Sequence, residues 1–173
     1  MKQRGFEIIS KYQEEGLSVP QRATKGAAGY DFQAAETVVV PSLWKLQQAG
    51  ENPKPILVKT GIKAYMPDSE YLELVSRSSN PLKRFLLLAN GVGVIDSDYY
   101  NNENNEGHIM FQFLNFGYED VVIEKGERIG QGIFKPFLLA DDDQVEAERT
   151  GGFWFVWTKI KPIFSVGNVI QTI

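Results

Sequence analysis

An all-β fold is what this sequence predicts, and three observations predict it. Short runs rich in Val, Ile, Phe and Tyr are punctuated at close intervals by Gly, Pro, Asn and Asp, the pattern of strands joined by turns. Ile109, Phe111 and Phe113 alternate with Met110, Gln112 and Leu114, the two-residue period of a strand with one buried face. Only residues 42–48 have helical spacing, with Leu43 and Leu46 three apart behind Ser42 as N-cap. Many short strands with so little helix point to a β-sandwich, a jelly roll or a small barrel.

Taken in order, strands are expected over residues 7–10, 30–34, 37–40, 56–66, 71–76, 85–89, 109–115, 120–124 and 130–138. No internal repeat interrupts them. A chain of 173 residues holds one domain with a full hydrophobic core. The formal net charge of −4 argues against a general nucleic-acid binder, which would be basic. It leaves room for a small anionic ligand, because local clusters make such sites. The absence of cysteine excludes disulfides and thiolate metal centres. No apolar h-region follows the first charged residues, and no run approaches the roughly 20 apolar residues of a membrane helix. A cytoplasmic protein with no membrane or nucleic-acid partner is the expectation.

The loops carry the chemistry. Residues 90–100, Asn-Gly-Val-Gly-Val-Ile-Asp-Ser-Asp-Tyr-Tyr, combine glycines that let a ligand approach the backbone, carboxylates that can take a proton from water, and aromatic faces. This stretch suits a small planar ligand and a base acting on it. Thr24-Lys25-Gly26-Ala27-Ala28-Gly29-Tyr30-Asp31 is unusually small in its side chains and fits either a tight turn or close ligand approach. Arg77-Ser78-Ser79 offers a guanidinium beside two hydroxyls, which suits a phosphate or a polar turn. Glu127-Arg128-Ile129-Gly130-Gln131 fits a ligand site or a buried Arg–Glu pair equally well. His108, the single histidine, lacks companions at metal-ligand spacing and is expected to be structural.

Taken together, these segments resemble the trimeric deoxyuridine triphosphatase (dUTPase) family, motif by motif and in order. Ala27-Ala28-Gly29-Tyr30-Asp31 looks like the first motif, and Arg77-Ser78-Ser79 with Lys83 like the second. Gly93-Val94-Ile95-Asp96-Ser97-Asp98-Tyr99 looks like the third, and Gly126-Glu127-Arg128-Ile129-Gly130-Gln131 like the fourth. Arg149-Thr150-Gly151-Gly152-Phe153 matches the start of the fifth. The resemblance implies a jelly-roll-like subunit, a homotrimer with active sites shared between subunits, and conversion of dUTP and water to dUMP and pyrophosphate with Mg²⁺. By the same resemblance Asp96 is the general base for the water attacking the α-phosphorus. Tyr99 stacks on the deoxyribose and excludes a 2′-hydroxyl. Asn90 and the backbone of Gly93, Val94 and Ile95, with the returning strand near Met110, read the uracil edge. Arg77, Ser78, Ser79 and Gln131 hold the triphosphate, which carries most of the Mg²⁺ ligation. Asp31 orients water on the metal, Arg149 reaches the terminal phosphate, and Phe153 covers the uracil ring.

The chain departs from the family pattern in three places. Residues 41–55 look like an insertion, either a surface excursion or a partner-binding feature. The third motif runs on through Tyr100-Asn101-Asn102-Glu103-Asn104-Asn105-Glu106-Gly107, so a longer hairpin with a solvent-exposed tip is expected. Finally, the family continues its fifth motif as Gly-Ser-Thr/Ser-Gly, whereas this chain reads Trp154-Phe155-Val156-Trp157. Two of the three tryptophans fall in this tail. Tryptophan has the single codon TGG, and reading one base later gives glycine-type codons at both positions. The expectation is a domain over residues 1–153, followed by residues 154–173 as a frameshifted reading of an ordinary fifth motif.

Two other readings compete. A dCTP deaminase shares the fold and an Arg-Ser-Ser segment, but places a catalytic glutamate where this chain has Gln112, and glutamine cannot act as a base. An interaction or regulatory protein built on the same fold is the alternative from another class, with residues 41–55 as the place for a protein partner.

Overall fold

The computed structural model describes residues 2–147 and 149. It is an all-β, jelly-roll-like architecture in which every ladder is antiparallel. The first half supplies β1 (Gly5–Ile8), β2 (Gln21–Arg22), β3 (Tyr30–Gln33), β4 (Val38–Val40), α1 (Leu43–Gln48), β5 (Ile56–Lys59), β6 (Ile62–Tyr65) and β7 (Glu70–Ser76). The second half supplies α2 (Ser79–Arg84), β8 (Leu86–Leu88), β9 (Gly93–Asp96), β10 (Met110–Asn115), β11 (Val121–Ile123) and β12 (Arg128–Pro136). A five-stranded sheet in the order β2-β3-β12-β7-β9 forms the larger layer. Against it lie a three-stranded sheet, β5-β10-β8, and the pairs β1-β6 and β11-β4.

Strand alternation fills the space between the layers. Phe111 and Phe113 of β10 are buried with Ile109, while Met110, Gln112 and Leu114 between them are only partly covered. Their rings stack 6.3 Å apart and meet Phe32 of β3, Leu72 of β7 and Ile129 of β12 in one continuous core. Each fully buried Phe contributes roughly 1.5–3 kcal/mol by leaving water. The core leaves no room beneath β12. A Cβ on Gly130 would stand 2.0 Å from the Phe111 ring, and one on Gly132 would stand 2.7 Å from Phe32.

The structure differs from the expected elements at points that bear on the site. Residues 56–66 are two strands, because Gly61 turns the chain at φ +70°. There Thr60 Oγ donates to the Ile109 carbonyl oxygen at 2.6 Å and accepts from the Ile62 N–H at 3.2 Å. Residues 79–84 form helix α2, although only residues 42–48 have helical spacing in the sequence. Pro81 falls in the first helical turn, where its missing N–H removes no helical bond. Buried Asn80 pins this helix to β12 by donating to the Ile129 carbonyl oxygen at 2.7 Å. The helix expected over residues 42–48 is present as α1 with Ser42 as its N-cap, and the 41–55 excursion is anchored at its start by buried Ser42, whose Oγ donates to the Gly117 carbonyl oxygen at 2.6 Å. From there α1 runs outward, with Trp44 stacked on Tyr118 at 5.5 Å.

A further difference concerns the run after the third motif. It is not a hairpin. The Ser97–Tyr99 3₁₀ turn follows β9 directly, and the chain re-enters a different sheet at β10. Nor is the Asn-Glu tip freely solvated as expected. Asn101, Glu103 and Asn104 are exposed, but Asn102, Asn105 and Glu106 are half-buried and Gly107 and His108 are buried. The physical reason is that asparagine side chains satisfy local backbone groups here: Asn102 Oδ1 accepts from the N–H groups of Asn104 and Asn105 at 3.1 and 3.2 Å.

Candidate active site

Two clusters of candidate residues form at opposite ends of β7. At its C-terminal end, ladder register sets the geometry. Gln131 of β12 pairs with Asp31 of β3 on one side and with Val75 of β7 on the other. Gln131 Nε2 donates to Asp31 Oδ1 at 3.0 Å. Arg128 Nη1 donates to Asp31 Oδ2 at 3.2 Å, and Arg77 Nε lies 3.5 Å from Oδ1. Asp31 is 8% exposed, so its carboxylate holds three donors in one place. Two guanidinium groups around one carboxylate leave a net positive charge, which suits a polyanion.

The small residues of the first motif serve this cluster. A Cβ on Gly29 would lie 3.1 Å from the Gln131 side chain, so glycine keeps that side chain in place against Asp31. Arg22 fastens the preceding turn by donating to the carbonyl oxygens of Lys25 and Ala27 at 2.8 and 3.0 Å. Ser78 and Ser79 follow Arg77 directly at the start of α2, Ser78 exposed and Ser79 half-buried. A cleft of about 280 Å³ opens beside Asp31 and Arg128, lined also by Arg22 and Gln33. Arg128 was ambiguous from sequence. Its partner is Asp31, whereas Glu127 pairs with Arg84 of α2.

The second cluster lies at the end of β9, where Asp96 stands opposite Tyr71 near the start of β7. Among the described residues β9 is the edge of the five-stranded sheet, and the backbone of Gly93, Val94 and Ile95 is engaged there by β7 alone. Ile95 is buried in the core, Val94 points outward, and Asn90 is exposed in the preceding turn. Gly93 lets β9 lie close on β7, since a Cβ there would meet Leu74 at 3.0 Å. The Asp96 side chain is 52% exposed. Tyr99 is buried in the 3₁₀ turn, its ring 5.6 Å from the Arg149 guanidinium carbon. Arg149 donates to Asp96 and, at 2.8 Å, to Asp98. Met110 lies on β10 opposite Lys59, and β10 shares no ladder with β9. Phe153 and residues 154–173 lie outside the described residues.

His108 is buried, and its Nε2 accepts from the Gly61 N–H at 2.9 Å. Burial, helped by the Lys59 and Lys11 cations and opposed by Glu36 and Glu106, lowers its pKa to about 4. It is a neutral structural acceptor, as expected. Among the described residues no group of three or more His, Cys, Asp or Glu side chains converges as a metal site. No helix among them is long and apolar enough to cross a membrane.

Comparison with known proteins settles the family. Residues 15–151 match the family model described as dUTPase. The chain belongs to the dUTPase family. The deoxyuridine 5′-triphosphate nucleotidohydrolase of Lactococcus lactis is 53% identical over 156 residues, covering 88% of this chain and 97% of that protein. The protein of the same name from Desulfitobacterium hafniense is 35% identical over 149 residues, covering 81% and 87%. Among solved structures, a dUTPase from Streptococcus mutans superposes with a TM-score of 0.70 at 50% identity, covering 79% of this chain and 98% of that one. The matches cover most of the length of these dUTPases, so the fold of this chain is that of a dUTPase domain.

Proposed function

We propose that this chain is a dUTP diphosphatase, converting dUTP and water to dUMP and pyrophosphate in a site assembled between copies of the chain. The observation that carries the reading is the division of the site. Arg77, with Asp31, Arg128 and Gln131, lies six residues along β7 from Tyr71, the partner of Asp96. At about 3.3 Å per residue the two clusters are roughly 20 Å apart, whereas a general base must lie within about one water of the phosphate chain that the other cluster would hold. A homotrimer that sets the Asp31 cluster of one subunit against the Asp96 turn of another completes the site.

In that arrangement the open edge of β9 and exposed Asn90 are available to the uracil, with Met110 at the start of β10 in the facing sheet. A buried polar edge discriminates because a wrong base leaves its groups unpaired. Tyr99 presents its ring to the deoxyribose. Arg77, Ser78, Ser79, Arg128 and Gln131 hold the phosphates. Asp96, exposed at the strand end, takes a proton from water as its oxygen bonds to the α-phosphorus, and the bond from that phosphorus to the bridging oxygen breaks to release pyrophosphate. Arg149, which rests on Asp96 and Asp98 in the free chain, transfers to the terminal phosphate. Phe153 covers the base.

A single carboxylate among guanidinium groups is a poor cage for a metal by itself, but it fits Mg²⁺ that arrives on the triphosphate and keeps its own water. Asp31 would hold that ion through water. Bound there, Mg²⁺ supplies neutralisation of phosphate charge. The test of the shared site is complementation. Asp31→Asn and Asp96→Asn subunits are each expected to be inactive alone, and co-assembly should restore activity, because random mixing leaves about one site in four with both halves intact. A mixture no more active than its components rejects the shared site. Release of ammonia from dCTP would instead support a deaminase.

The tail belongs to the same proposal. Residues 154–173 replace the segment expected to wrap the phosphates, and a chain ending Gly-Phe-Gly-Ser-Ser-Gly should turn over dUTP faster than this one. Equal turnover of the two rejects this, and codons at 153–157 that cannot be shifted into Gly-Ser-Ser-Gly reject the frameshift.

A further inference from the structure

The loop after Tyr99 ends on the phenol of that residue. The Tyr99 hydroxyl donates to the His108 carbonyl oxygen at 3.0 Å and accepts from the Asn105 side-chain amide at 2.8 Å. Asn105 is held from its other side as well. Its Oδ1 accepts from the Asn102 amide at 2.8 Å and from the Gly107 N–H at 3.1 Å. With Oδ1 committed to two donors, Nδ2 must be the group that faces the phenol.

The loop is fastened to the body of the protein at three further points. Ser10 Oγ donates to Glu106 at 2.6 Å, Lys63 Nζ donates to Asn101 Oδ1 at 2.6 Å, and the Tyr100 hydroxyl donates to Glu7 at 2.7 Å. The His108 carbonyl is fixed in turn, because the imidazole of the same residue accepts from Gly61. Gly107 completes the turn at φ +80°, where a Cβ would stand 2.6 Å from the Tyr99 carbonyl oxygen.

We propose that Asn105 is a positioning residue that sets the discrimination between deoxyribose and ribose, by fixing the Tyr99 ring against the sugar. This rests on the reading of Tyr99 as the sugar gate. Such a gate excludes a single oxygen atom, so a shift of a few tenths of an ångström in the ring changes what fits. Packing of ring carbons resists tilting but lets the ring slide in its own plane. One hydrogen bond donated and one accepted at the phenol oxygen stop that slide.

The decisive variant is Asn105→Asp. It is isosteric and still accepts from Asn102 and Gly107, but it places an oxygen where the amide donor stood. Steady-state kinetics with dUTP and with UTP read the effect. The ratio of kcat/KM for dUTP over UTP is expected to fall about three- to tenfold, a part of the roughly 10–200-fold that discrimination of one small group spans, with kcat for dUTP within about twofold of the parent. Tyr99→Phe should lower the ratio by a similar factor. Asn105→Asp added to Tyr99→Phe should change it less than about twofold further, as expected of two residues acting through one bond.

A ratio unchanged in Asn105→Asp overturns the proposal. So does a parallel fall for both nucleotides, which is what a merely structural role produces, and so do factors that multiply in the double variant. If Asn105→Asp melts below the assay temperature, Asn105→Ala is judged by the same criteria. Tyr99→Ala separates the two layers of the argument. A ratio unaffected by Tyr99→Ala rejects the sugar gate itself, whereas a ratio lost in Tyr99→Ala and kept in Asn105→Asp rejects only the role of Asn105.

Discussion

Around Asp31, the contributing side chains sit on strands or at strand ends; around Asp96, they sit at an edge, in a turn and beyond the last strand. The first cluster inherits its geometry from two antiparallel ladders that put Asp31, Gln131 and Val75 in one row. The second depends on a four-residue edge strand and a 3₁₀ turn. The contrast teaches that a cluster of charged side chains can be held by regular sheet, whereas Asp96 and Tyr99, proposed as base and sugar gate, stand on irregular backbone that needs its own local supports.

The largest effect expected from breaking this contrast is on turnover. Asp96→Asn should lower kcat on the order of 10²- to 10⁴-fold, the usual contribution of a general base. Its affinity for a non-hydrolysable dUTP analogue, measured by calorimetry, should stay within a few-fold. Arg77→Ala should instead weaken that binding. Equal effects of the two variants on affinity would erase the distinction between the clusters.

A pH dependence of stability should follow from the support beneath the Asp96 side. His108 titrates near 6.5 when unfolded and at about 4 when folded, so between these values the unfolded chain binds the extra proton. Stability from this residue is complete above pH 6.5 and declines as pH falls toward 4, by up to about 3 kcal/mol. Thermal melts at pH 7 and pH 4.5 should show a larger drop for the parent than for His108→Gln. The same drop in both would assign the pH dependence elsewhere.

Smaller effects separate two glycines that flank the Asp31 cluster. Gly130→Ala drives a Cβ into the Phe111 ring and should destabilise the fold by roughly 1–3 kcal/mol, as overpacking does, read from urea midpoints. Gly29→Ala presses only on the flexible Gln131 side chain. It should leave the midpoint unchanged and raise KM a few-fold by moving Gln131 from Asp31. A loss of stability in Gly29→Ala would show that the first motif is structural after all.

Most strands could be read from the sequence because alternation and turn residues coincide, and β10 is the clearest case. The break at Gly61 and helix α2 could not, since one depends on a backbone angle and the other on Pro81 falling in a first turn. The residues of the Asp31 cluster were found through the family motifs, but the Arg128–Asp31 pairing needed the ladder register. The role of Asn105 had no sequence signal. Asparagine-rich runs read as solvated loop, and only the geometry shows that Asn102 and Asn105 spend their amides inward.

An edge strand left open for a ligand is also open to another protein chain. The outer side of β9 carries backbone donors and acceptors that a foreign strand would pair with as readily as a base does, which is how sheets seed fibres. Here the opening is four residues long, begins at Gly93 and ends at the Asp96 carboxylate, and the chain then coils into a 3₁₀ turn. On the proposed reading a pyrimidine ring takes up this edge, and so short a strand offers little for a foreign chain to pair with.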